Sequence, residues 1–159
     1  MPDLPSRLTD RLTIRTDDLA DPRVQELVAL HVGSMRADSP PGTSYALDLT
    51  GLTGPGMTVW TAWDGDSLAG MVALSAAGEL KSMRTHPDHL RRGVAGALLD
   101  HALAAARERG LDRVVLETGT APPFAPAVAL YRQAGFTDRG PFGDYAAGPD
   151  NRFLELRLS

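Results

Sequence analysis

The 159-residue sequence has no cysteine. Disulfide frameworks, cysteine-ligated zinc, iron–sulfur clusters and thiol nucleophiles are excluded together. Lysine is almost as scarce, since 15 of the 16 basic residues are arginine and Lys81 stands alone. There is no surplus of positive charge either. With 16 basic against 20 acidic residues the net charge is −4, which weighs against a nucleic-acid partner. No apolar run approaches bilayer-spanning length, and the opening MPDLPSRLTDR lacks the apolar core of an export signal. A cytoplasmic protein with no membrane partner is therefore expected. What is present is ordinary for a globular chain, 43% hydrophobic and 23% charged. The length fits one domain, expected over 12–159 behind a flexible arm at 1–11.

Hydrophobic spacing divides the chain into short elements. Leu12 to Arg15 reads as a strand. Asp21-Pro22 supplies an N-cap and a first-turn proline for an amphipathic helix over about 22 to 36. Residues 37 to 56 form a lobe punctuated by Gly and Pro that could border a substrate, with a short helix in YALDLTGL. From Met57 the period becomes that of strands. Met57 to Trp63, an Asp64-Gly65 turn and Ser67 to Ser75 make a hairpin, and Glu79 to Thr85 is a third strand. Val94 to Arg109 carries one apolar stripe and stops at Gly110. Arg113 to Glu117 is a buried strand, Pro126 to Ala134 a helix, Phe136 the start of another strand, and RFLELRL a last alternating strand. Hairpins interleaved with helices predict an α/β (α+β) fold, a mixed and mostly antiparallel sheet with helices on both faces.

The segment from Gly78 to Gly110 carries the most chemistry. A strand feeds a basic, glycine-containing turn, LRRGVAG, that opens an amphipathic helix. First-turn amides of a helix have no internal partner, and the helix dipole adds positive potential there. Gly93, Ala95 and Gly96 carry little or no side chain, so a diphosphate could come close to the backbone, with Arg91 and Arg92 at the mouth. Neither GxxxxGK[ST] nor GxGxxG is present. By physics alone the turn is equally compatible with solvated arginines and no ligand.

This turn resembles motif A of the GNAT superfamily of N-acetyltransferases, [QR]-x-x-G-x-[GA], as Leu90-Arg91-Arg92-Gly93-Val94-Ala95. Leu90 departs from the usual Gln or Arg. Further on, LYRQAGF at 130–136 resembles the family's L-Y-x-x-x-G-F signature, and ELKSMRT, LETG and PFGDY look like one bacterial branch. The likeness spans about 12 to 158. It implies a single GNAT-like domain that binds acetyl-CoA between the 79–85 and 113–117 strands. Backbone amides of Arg91, Arg92, Gly93, Val94, Ala95 and Gly96 would hold the pyrophosphate. The main chain of Met83, Arg84 and Thr85 would pair with the pantetheine arm as an added strand does.

The same resemblance makes Tyr131 the candidate acid for the departing thiolate and Glu79 the candidate base, directly or through a water. Strict alternation would put Glu79, Lys81 and Met83 on one strand face and Leu80, Ser82 and Arg84 on the other. Glu79 and Lys81 are then neighbours, and a tight ion pair between them would argue against a strong base. Lys81 and Arg84 could hold the carboxylate of an amino-acid-like acceptor, and Glu117 is a further contact. Phe124 stands where many members have Asn, so the resemblance does not carry that coenzyme contact over. No metal is expected, because His86-Pro-Asp-His89 offers two histidines without a third ligand. His31 and His101 read as surface or boundary residues, and Trp60 and Trp63 as core and rim aromatics. The function expected is acetylation of a small-molecule primary amine. The alternatives are a non-catalytic acyl-CoA-binding module and an acetyltransferase of protein amines. Homodimer formation is compatible with the late strands.

Overall fold

The computed structural model describes residues 11–42 and 44–158, so the first ten residues of the expected arm lie outside the described residues. Seven strands form two sheets. β1 (Leu12–Thr16), β2 (Met57–Asp64), β3 (Ser67–Ser75) and β4 (Leu80–Thr85) run in that order, each antiparallel to the next. β5 (Arg113–Gly119), β7 (Asn151–Arg157) and β6 (Thr137–Arg139) make the second sheet, with β7 central. Antiparallel pairings and one parallel bridge, Glu79–Val115, make the arrangement mixed and mostly antiparallel as expected, and it splits at the β4–β5 boundary.

Four helices cover the sheets: α1 (Pro22–Ala37), α2 (Leu49–Leu52), α3 (Val94–Glu108) and α4 (Ala125–Gln133). The Asp21 carboxylate accepts from the Arg23 amide at 2.9 Å, so α1 begins where the Asp-Pro pair predicts. α1 buries Val24, Leu27, Val28 and Val32 against Val59, Trp63, Leu68, Met71 and Ala73 on one sheet face. α3 buries Val94, Leu98, Leu99, Ala102, Leu103 and Ala106 on the opposite face. That second core also takes Val114, Leu116 and Leu154, so it runs beneath both sheets. Each Val, Leu or Met side chain among them contributes about 1.5 to 3 kcal/mol when fully buried.

The two sheets meet at one point. Gly78 takes φ +96°, and its carbonyl accepts from the Val115 amide at 2.9 Å beside the parallel Glu79–Val115 bridge. A Cβ on Gly78 would sit 2.8 Å from the Arg113 carbonyl oxygen, so only glycine allows this approach. Beyond the bridge β4 and β5 have no further pairing, and they bound a wedge.

β4 also breaks its own alternation. Lys81 pairs with Ala73 and Arg84 with Met71, so three steps on β4 match two on β3. Ser82, at φ 57°, is the extra residue of a β-bulge. This corrects the strict alternation of the sequence reading. Lys81 and Arg84 share the α1 face, whereas Met83 packs with Leu80 on the α3 core.

Candidate active site

At the mouth of the wedge the chain turns from β4 into α3. A 3-10 turn at Pro87–His89 redirects it, and the His86 ring accepts from the Asp88 amide at 3.1 Å. Arg91 (φ 62°) and Gly93 (φ 84°) are both left-handed. No side chain caps α3 at Gly93. The amides of its first turn are thus left to an external acceptor, and the helix dipole makes an anion the preferred one. The space above them is open: a Cβ on Gly96 would meet nothing nearer than a Leu130 methyl at 3.9 Å. Arg91 and Arg92 stand exposed beside it. In the wedge itself Met83, Arg84 and Thr85 lie on the free edge of β4, and the Ser82 hydroxyl is buried without a hydrogen-bond partner. A diphosphate on a linear arm with strand-like hydrogen bonding fits this cradle and edge.

Tyr131 lies on α4, its ring buried and tilted against Phe136 with centroids 5.7 Å apart. Burial pushes its pKa up to about 12, so the phenol keeps its proton at any working pH. Its hydroxyl makes no hydrogen bond within the described residues yet is not sealed from solvent. It is a proton donor without an assigned acceptor.

On the α1 side the structure brings Glu79, Lys81 and Glu117 together, and Arg84 stands on the same strand face beside His31. Lys81 Nζ lies 3.3 Å from Glu79 Oε2, the close ion pair anticipated as a competing role. Tyr145 joins both: its hydroxyl donates to Glu79 Oε2 and accepts from Lys81. Burial, followed by the Glu79 carboxylate, drives the Tyr145 pKa up. Glu117 is raised as well, chiefly by burial, with Glu79 adding to the shift and Lys81 and the Asn151 amide opposing it. Arg84 Nε donates to His31 Nδ1 at 2.9 Å.

Residues 24–136 match the Acetyltransferase (GNAT) family. The chain belongs to that family. Over 150 residues it is 50% identical to the uncharacterized N-acetyltransferase YedL of Escherichia coli, spanning 92% of this chain and 94% of that protein. It is 45% identical over 149 residues to the uncharacterized N-acetyltransferase YsnE of Bacillus subtilis, covering 91% and 99%. Among solved structures, a Bacillus subtilis acetyltransferase in complex with CoA superposes with a TM-score of 0.70 at 20% identity, covering 94% of this chain and 100% of that one. That likeness speaks for the fold. The chain is thus a GNAT N-acetyltransferase, and its fold is the one it shares with that solved structure.

Two residues that contact the candidate site of this GNAT protein escape the sequence reading. His31, expected at a boundary, is 5% exposed and orients Arg84 across 53 positions of sequence. A histidine on the buried stripe of α1, in register with Val24, Leu27 and Val28, was the available signal. Tyr145 lies in a loop, where periodicity says nothing, and is held by edge contacts with Phe142, Phe153 and Tyr45 at 5.1, 5.9 and 4.9 Å. Tyr45 brings the 37–56 lobe to the rim of the site. Phe124 has a packing role instead of a polar one. It covers Gly119 so closely that a Cβ there would lie 2.3 Å from its ring.

Proposed function

We propose that the chain transfers an acetyl group from acetyl-CoA to the primary amine of a small molecule. The observation that carries this reading is the uncapped start of α3 placed at the mouth of a strand wedge. Backbone amides of residues 91–96 would hold the pyrophosphate, and the free edge at Met83, Arg84 and Thr85 the pantetheine arm. When bound, acetyl-CoA supplies an activated acyl carbon and a thiolate leaving group. Tyr131 then gives its proton to the departing sulfur. Glu79 takes the amine proton as nitrogen bonds to the acyl carbon, directly or through an oriented water. Its Oε2 is committed to Lys81 and Tyr145, so Oε1 is the atom free for this step. Glu117 and Lys81 border the amine and set the local charge.

The test begins with a thermal-shift titration using acetyl-CoA, with NAD and ATP as controls. Ligand at 100 times its Kd stabilises by about 2.7 kcal/mol. That is a midpoint rise of roughly 5 to 11 °C for a domain of this size. No rise at millimolar acetyl-CoA would remove the reading. Thiol release in the presence of amines then measures turnover, without background because the protein has no thiol. Glu79→Gln should lower turnover while keeping the acetyl-CoA shift.

A further inference from the structure

Three charged side chains on the α1 side of β4, Glu79 just before the strand and Lys81 and Arg84 within it, are not paired alike. Glu79 and Lys81 pair with each other, and the Tyr145 hydroxyl bonds to both. Arg84 is half-buried, yet no carboxylate among the described residues forms an ion pair with it. Its side-chain partner is His31 Nδ1. The two terminal amino groups of the guanidinium find no acceptor among the described residues, and neither is sealed from solvent. Asp38, just past the end of α1, acts on the charge only from a distance.

The identity of the partner matters. Burial first, then the charges of Arg84 and Lys81, hold the His31 pKa down to about 3. The ring is therefore neutral, and its Nδ1 lone pair fixes the guanidinium without cancelling its charge. A carboxylate at that position would do both. Leaving a partly buried cation without a counter-ion is unfavourable unless something else supplies the negative charge. Two parallel N–H donors on a held guanidinium match a carboxylate. Toward the start of β4 on the same face lie Glu79 and, close enough to act on its charge, Glu117, acceptors for an ammonium or amine. This face is bipolar, cationic at Arg84 and acidic at Glu79 and Glu117.

We propose that Arg84 is a carboxylate subsite, and that the acceptor is an amino acid or a similar small amine bearing a carboxylate. Its amine faces Glu79 and Glu117, and its carboxylate docks on the guanidinium that His31 orients. Lys81, the other cation considered for this task, is already engaged by Glu79 and Tyr145. Arg84 is thus a specificity determinant and His31 a positioning residue. The inference rests on the acetyl-transfer reading above.

The experiment compares the free proteinogenic amino acids, β-alanine and γ-aminobutyrate with the carboxamide of each, by thiol release with acetyl-CoA. Spermidine and a lysine-containing peptide complete the panel. At least one acid should be used with a kcat/KM 10-fold or more above its amide. Arg84→Gln should raise KM for that acid about 10- to 100-fold, the usual weight of a charge-assisted pair. It should leave kcat within about threefold and bring acid and amide together. Arg84→Lys should recover part of the KM, and His31→Phe should raise KM more than it lowers kcat. A second readout needs no turnover: calorimetric titration of the corresponding N-acetyl amino acid into CoA-saturated protein, with binding weakened in Arg84→Gln. Equal use of acids and amides, an unchanged KM in Arg84→Gln, or neither turnover nor binding of any acid at 10 mM would overturn the proposal. If acetyl-CoA itself gives no thermal shift, the acetyl-transfer reading has failed, which is a separate result.

Discussion

Tyr131 and His31 are both buried ionisable groups whose useful form is neutral, and they make opposite demands on an experiment. For Tyr131 the hydroxyl can be removed without disturbing the ring against Phe136. Tyr131→Phe should lower kcat by about 100-fold or more, the scale of a general acid, while the acetyl-CoA thermal shift persists. For His31 the readout is stability against pH. Its folded pKa of about 3 lies below the ordinary imidazole value of 6.5, so the unfolded chain binds more protons between these values. Stability is complete above the unfolded pKa and falls as pH drops from about 6.5 toward 3, with a slope near 1.4 kcal/mol per pH unit from this residue. Chemical denaturation across that range should show the slope, and His31→Gln should flatten it. Tyr131 is a candidate from the sequence alone because the signature that proposes it is local. His31 is not, because its meaning depends on Arg84, which only the fold brings near.

Among the elements, the helices and most strands could be read from the chain, since each spends one face on a core and the spacing records it. The boundaries of α1 and α3 agree with the sequence reading to within a residue. β4 is the exception, because alternation assumes that every residue takes its turn on a face and Ser82 does not. The short turn before α4 is a second case, where Phe124 reads as a lost polar contact and is in fact a lid on Gly119. Its expected signature is steric. Gly119→Ala would drive a methyl into the ring and should cost about 1 to 3 kcal/mol. Phe124→Ala alone should cost about 3 to 5 kcal/mol through the cavity it leaves. The double variant should cost less than the sum, because the methyl occupies space the ring has vacated, and a double-mutant cycle in urea measures the difference.

For the whole molecule, the division into two sheets does not make two folding units. The α3 core takes Leu74 and Leu80 from one sheet and Val114, Leu116 and Leu154 from the other. Calorimetry should therefore give one transition, with calorimetric and van't Hoff enthalpies equal. No helix among the described residues is long and apolar enough to cross a membrane. The wedge between the sheets leaves a different kind of trace, in arithmetic. Between the pairs Lys81–Ala73 and Arg84–Met71, β4 counts one residue more than β3. Deleting Ser82 would balance the count without moving a side chain to the wrong side: Lys81 and Arg84 would still look toward α1 and Met83 toward α3. What would go is the kink, and with it the left-handed residue. Such a one-residue deletion is expected to stay folded with its charges in place, yet to lose the acetyl-CoA thermal shift. It would separate the chemistry the strand displays from the opening the strand makes.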